Sequence, residues 1–172
     1  MSDAAFHVRP AEPDDAAALV AHVREILEEP GVCVTRTPDE FKTTVDEERC
    51  LIEKYSALDN SLFLVAESGG PLIGLLTLAG GKRAALRHES VLVINVRADW
   101  RGRGVGKALI AKAIEWAKAT GVITRIELKV FARNTPAIRL YERFGFVIEG
   151  TRRNAVFLDG RYEDNHGMAL LL

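Results

Sequence analysis

The chain predicts an α/β fold, a mixed central sheet of about seven strands with helices on both faces. Three observations carry this. Apolar alternation and helical spacing succeed one another in the order β-α-α-β-β-β-α-β-α-β-β. The middle stretch, Val91 to Ile110, reads as strand, glycine-rich turn and helix. Two strong hairpin signals, Ser68-Gly69-Gly70-Pro71 and Asp159-Gly160, join strands directly. A length of 172 residues suits a single domain, 1–172, with a sizeable core.

Composition narrows the function classes. With 48% hydrophobic and 27% charged residues the chain is of the globular class. A net charge of −1 argues against a general nucleic-acid or membrane-surface binder, so any basic patch is local. Cys33 and Cys50 offer neither metal-ligand spacing nor a disulfide framework, so no metal is expected and a reducing setting fits. Met1-Ser2-Asp3-Ala4-Ala5 shows no signal-peptide pattern, and no apolar run reaches membrane-spanning length. A cytoplasmic location is the expectation.

The elements follow in order. Phe6 to Arg9 is a short strand ended by Pro10. Pro13-Asp14-Asp15 opens a helix, its acids set against the helix dipole, with Leu19, Val20, Val23, Ile26 and Leu27 on one face; Pro30-Gly31 stops it. Thr37-Pro38-Asp39-Glu40 combines a capping residue, a first-turn proline and a capping-box acid, predicting a helix from there to about Leu58. Phe41, Val45, Ile52 and Tyr55 follow its period, while Glu48 and Arg49 interrupt the stripe. Such charges usually mark a solvated face, the favoured reading here; the other is a helix edge facing a polar substrate.

Residues 61–67 and 72–78 form a hairpin, followed by Gly80-Gly81 and a basic loop with Lys82, Arg83, Arg87 and His88. Residues 91–94 are apolar without a break, as in a strand buried on both faces. Leu109, Ile110, Ala113, Ile114 and Ala117 mark the next helix, which Gly121 ends. Residues 124–131 alternate as a strand. Asn134-Thr135-Pro136 starts another helix, carrying Ile138, Leu140 and Tyr141 and closed by Gly145. Residues 146–158 and 161–171 form the last hairpin.

The glycine turn carries the chemistry. Gly102, Gly104 and Gly106 stand at alternate positions between a strand and a helix start, with Arg101, Arg103 and Lys107 among them. A helix start offers unpaired amides and partial positive charge, which suits phosphate. A plain turn has no need of interleaved basic residues. A Walker A loop requires glycine where Arg101 stands and Ser or Thr where Ala108 stands, so a nucleoside triphosphatase or nucleotide switch is disfavoured. A dinucleotide fingerprint requires glycine where Lys107 stands.

What remains is Arg-x-x-Gly-x-Gly after a strand, followed by Asn134-Thr135-Pro136-Ala137-Ile138-Arg139-Leu140-Tyr141-Glu142-Arg143-Phe144-Gly145-Phe146. Together these motifs span residues 91–146 and closely resemble the GNAT superfamily of acetyl-CoA-dependent N-acyltransferases, whose element order also matches. The resemblance implies acetyl-CoA as acyl donor, with its pyrophosphate on Arg101, Gly102, Arg103, Gly104, Val105, Gly106 and Lys107. It implies a pantetheine arm beside Ile94, Asn95 and Val96, where the strand splays from its parallel neighbour, with the Val96 amide as oxyanion donor. Asn134 matches a residue touching the coenzyme arm, a role compatible with helix capping. Tyr141 matches the acid that protonates the departing thiolate; from spacing alone it reads as a core aromatic. Relatives often carry a basic carboxylate on the glycine-turn strand, and residues 91–96 hold none. Glu89 and His88 are the nearest candidates for that base, and His7, His22 and His166 have no motif support.

The implied reaction is direct attack by a neutral amine on the thioester in a ternary complex. The acceptor side falls on the two N-terminal helices, where Glu47, Glu48, Arg49 and Glu53 offer charge, and on the last hairpin. A small-molecule amine is the leading acceptor. A protein N-terminus of the ribosomal-protein type is the alternative, and a non-catalytic acyl-CoA-binding module a third reading. The oligomeric state is not legible, although exposed terminal hairpins often pair subunits and a homodimer would fit.

Overall fold

The computed structural model describes residues 5–172; of the stretch read for a signal peptide, residues 1–4 lie outside it. The elements are β1 (His7–Pro10), α1 (Ala16–Leu27), α2 (Val45–Ser56), β2 (Leu62–Glu67), β3 (Leu72–Gly80), β4 (Glu89–Val96), α3 (Val105–Thr120), β5 (Arg125–Phe131), α4 (Thr135–Arg143), β6 (Val147–Leu158) and β7 (Arg161–Leu171). The strands form one sheet in the order β1-β2-β3-β4-β5-β7-β6. The β4–β5 pair is parallel and the other pairs are antiparallel. The expected seven-stranded mixed sheet is therefore present.

Each face of the sheet buries a helix layer. On one, Leu109, Ile110, Ala113 and Ala117 of α3 pack with Leu76, Leu78, Leu92, Ile126, Leu128 and Met168, joined by Tyr141 of α4. On the other, Leu19 of α1 and Ile52 of α2 cover Phe63, Val65 and Leu75. These are the apolar stripes that 3.6-residue spacing requires.

Two expectations are corrected. The helix from Thr37 to about Leu58 is broken. The Thr37 amide does donate to Glu40 Oε2 at 2.8 Å, but this box caps a single 3-10 turn, and Phe41 then turns extended. Phe41 is buried against Val20 and Leu27, and the chain leaves helical geometry to put it there. The helix proper begins at Thr44, whose own box with Glu47 closes at 2.8 Å. Nor is the glycine-turn strand buried on both faces: Val91 is 40% exposed and Val93 55%. Leu92 packs beneath α3, while α1 and α2 cover β2 and β3 and leave this part of β4 open.

Candidate active site

The site begins where β4 and β5 part. Their pairing joins Glu89 to Arg125, Ser90 to Ile126 and Val91 to Glu127, and no further. Yet β4 runs on to Val96, paired to β3 as far as Gly74, and β5 runs on to Phe131, paired to β7. Beyond Val91 the β4 backbone therefore faces a gap on its β5 side. At its far end Ile94 and Val96 turn their backbone groups to it, whereas the backbone of Asn95, contrary to expectation, faces its ladder partner Leu75 of β3; an extended edge whose ladder stops early invites a strand-like ligand.

The gap leads to the glycine turn. Ala98–Trp100 form one 3-10 turn, and Gly102 and Gly104 then take φ of +76° and +87°. Those angles favour glycine, and a Cβ at either position would meet nothing within 4 Å. The surface above them is open to a ligand. The first α3 hydrogen bond runs from the Ala108 amide to the Gly104 carbonyl at 2.9 Å. Helix geometry thus leaves the amides of Val105, Gly106 and Lys107 ahead of it without an intrahelical acceptor, at the positive end of a 16-residue helix. This end fits a diphosphate.

The interleaved basic residues divide. Lys107 is exposed at the mouth of the turn. The Arg103 guanidinium lies over the Trp100 ring, 5.2 Å from its centre. Arg101 is committed inward: Nε donates to the Val96 carbonyl at 3.0 Å, and the guanidinium forks onto Glu29, Nη2 to Oε2 at 2.7 Å. It ties the turn to the end of α1. Gly106 serves packing: an added Cβ would lie 3.3 Å from Leu140 Cδ2 and 3.9 Å from Ile94 Cδ1. α4 seats its Leu140 there, against the first turn of α3 and the end of β4.

That seating delivers Tyr141. The residue is 7% exposed, its ring tilted against Phe146 at 5.8 Å between centres. Burial pushes its phenol up to about 12. Its hydroxyl makes no hydrogen bond to protein among the described residues. Asn134 caps α4, Oδ1 accepting the Ala137 amide at 3.4 Å.

Glu89 and His88 do not reach this place. They stand at the opposite end of β4, and seven strand residues separate Glu89 from Val96, roughly 23 Å. Neither fits as the base. A histidine without motif support stands closer: His22 of α1 is 3% exposed and its Nε2 lies 2.6 Å from Asn95 Oδ1. With the amide oxygen as acceptor, Nε2 carries the proton; Nδ1 is buried without a partner. Burial lowers the His22 pKa, so the ring is neutral. Only the folded chain joins these two, 73 residues apart. Among the described residues no group of His, Cys, Asp or Glu is placed to hold a metal, and no helix is long and apolar enough to cross a membrane.

Residues 20–146 match the model of the Acetyltransferase (GNAT) family. The chain belongs to this family. Among curated proteins it is 39% identical to the L-amino acid N-acetyltransferase AaaT of Escherichia coli over 106 residues, 62% of this chain and 65% of that one. The match therefore spans just under two thirds of that relative. Among solved structures, a GNAT-family acetyltransferase from Streptococcus pneumoniae superposes with a TM-score of 0.94 at 32% identity, covering 98% of this chain and 100% of that one. The yncA protein of Salmonella typhimurium, solved with its cofactor acetyl-CoA, shares the fold at a TM-score of 0.85 and 21% identity, over 98% and 94% of the two chains. In this GNAT chain the splayed strands, the open glycine turn and the Tyr141 helix converge at one end of the sheet.

Proposed function

We propose that this protein transfers the acetyl group of acetyl-CoA to the primary amine of a small molecule by direct attack in a ternary complex. The observation that carries the proposal is the early end of the β4–β5 ladder beside an open, amide-rich turn. A slot for a strand-like arm, running into a diphosphate-sized anion site, suits coenzyme A better than a nucleoside triphosphate.

When bound, acetyl-CoA supplies an activated acyl group on a thiol leaving group. The chain does the rest. The amides of Val105, Gly106 and Lys107 hold the diphosphate, with Gly102 and Gly104 clearing the approach and Arg103 and Lys107 adding charge. Ile94 and Val96 orient the arm through the backbone they turn to the gap, and the Val96 amide donates to the carbonyl oxygen as negative charge gathers there. Arg101 and Asn134 act at one remove, one fastening the turn, the other starting the helix that bears Tyr141. Tyr141 donates its phenolic hydrogen to the departing sulfur. The likeness to an L-amino acid N-acetyltransferase supports a small-molecule acceptor.

The test is thiol release from acetyl-CoA across a panel of L-amino acids, polyamines and alanine-initiated peptides. Turnover with a free amino acid or polyamine is expected. Turnover confined to peptides would replace the small-molecule acceptor with a protein N-terminus, and binding without turnover would reduce the chain to a coenzyme A-binding module.

A further inference from the structure

β4 carries no carboxylate from Val91 to Val96, and α2 places one, Glu48, on the side that packs against the sheet. Glu48 lies on the inward stripe of α2, between Val45 and Ile52 and two turns before Tyr55. It is 7% exposed. Among the described residues its carboxylate takes part in no salt bridge and accepts no hydrogen bond. The neighbouring acids behave otherwise: Glu47 closes the helix cap, and Asp46 pairs with Arg49 at 2.7 Å.

Its surroundings lead to the reacting end of β4. Tyr55 packs on Phe63, ring centres 5.7 Å apart, and its hydroxyl lies beside Thr77 of β3. Thr77 is the cross-strand partner of Val93, and Leu75 that of Asn95, which His22 of α1 holds. These side chains share the sheet face opposite α3. On that face β4 is uncovered at Val93, three residues before Val96. Glu48 thus stands on the α2 side of the sheet face that β4 presents at Val93 and Asn95, with no cation paired to it among the described residues. An acid buried without a cation is costly unless a ligand brings the cation.

We propose that Glu48 receives the acceptor amine as its ammonium ion and takes its proton before attack. This rests on the acetyl-transfer reading above. The step balances: R–NH3+ gives one proton to the Glu48 carboxylate, and the freed nitrogen pair forms the C–N bond. The C–S bond then breaks, its electrons leaving on sulfur, and the second proton lost by nitrogen ends on the thiol by way of Tyr141. Glu48 passes its proton to solvent. Burial raises the Glu48 pKa above the usual carboxylate value, in the direction a base requires. The titratable group that feels its charge is Tyr55 on its own helix; His22 of α1 is committed to Asn95.

The test compares wild type, E48Q and E48D with the best amine from the panel of L-amino acids, polyamines and peptides. E48Q is expected to bind acetyl-CoA as wild type does, to lose about 100-fold in kcat/KM for the amine, and to lose the acid limb of its pH profile. E48D, which keeps the carboxylate, recovers part of the rate. A readout without turnover is carbon-13 NMR titration of the Glu48 carboxyl, assigned by its absence in E48Q. Its midpoint is expected above that of an exposed glutamate and displaced when the same amine is added. Wild-type kcat/KM and acid limb in E48Q, or a Glu48 signal unmoved by saturating amine, overturns the proposal and leaves the transferase reading standing. A wild type that acetylates no amine in the panel overturns both.

Discussion

The proposed role of Tyr141 as a proton donor to sulfur agrees with its burial. With burial pushing its phenol up to about 12, it stays protonated across the working range, as the proposed donation to sulfur requires. Tyr141→Phe removes that hydrogen with little change in volume. Its kcat is expected to fall about 100-fold with acetyl-CoA affinity unchanged, as steady-state kinetics beside calorimetric titration would show. No alkaline limb from Tyr141 should appear in the wild-type kcat profile up to about pH 10. Glu48 gives a stability signature of the opposite origin. An acid whose pKa is raised by folding binds protons more tightly in the native state, so it costs nothing below the unfolded value of about 4.3. The cost grows as pH rises through the interval to the folded value and is constant above it. Glu48→Gln should therefore raise the Tm at pH 7 and leave it unchanged near pH 4, a pair of calorimetric scans. Neither the pairing of His22 with Asn95 nor the burial of Glu48 has a local signature. The first joins residues on α1 and β4, and the second differs from a solvated glutamate only in what α2 packs against.

At the scale of elements, the glycine turn was legible because its requirement is local: positive φ at Gly102 and Gly104, just before a helix start. Two details depend on packing and were not. Gly106 is small because α4 lays Leu140 against it. The all-apolar run of β4 signalled a strand correctly but not its burial, since Val91 and Val93 stand exposed where α1 and α2 cover only β2 and β3. The start of α2 shows a similar limit. Thr37 and Thr44 both head capping boxes, and the burial of Phe41 between them decides which one begins the helix. The glycines predict contrasting variants. Gly104→Ala must adopt a left-handed backbone, costing about 1–2 kcal/mol, and should weaken acetyl-CoA binding as the turn relaxes. Gly106→Ala has helical φ and meets only the flexible end of Leu140, so helix propensity offsets the contact and stability should change by less than about 1 kcal/mol. Denaturant unfolding of both variants separates the two roles.

For the whole molecule, the order of strands and helices followed from periodicity, but the splay did not, because nothing in the alternation of Arg125 to Phe131 tells where a parallel ladder stops. In the proposed reaction one sheet serves two ligands, the acyl donor through the β4–β5 gap and the acceptor across the face beneath α1 and α2. The last hairpin adds an exposed apolar tip. Phe157 and Tyr162 are 63% and 65% exposed and lie 5.0 Å apart between ring centres, and β6 is an open sheet edge. A homodimer through this hairpin is expected, with Phe157→Glu shifting light-scattering mass toward the monomer. The proposed reaction turns on the donor slot and the amine it serves. Its most direct test is to incubate the protein with acetyl-CoA and the amine panel, follow free thiol, and weigh the amine product by mass spectrometry. Thiol release matched mole for mole by a singly acetylated primary amine, with Tyr141→Phe far slower, is the predicted result. Thiol released at the same rate with and without amine, or no acetylated product from any amine offered, would contradict it.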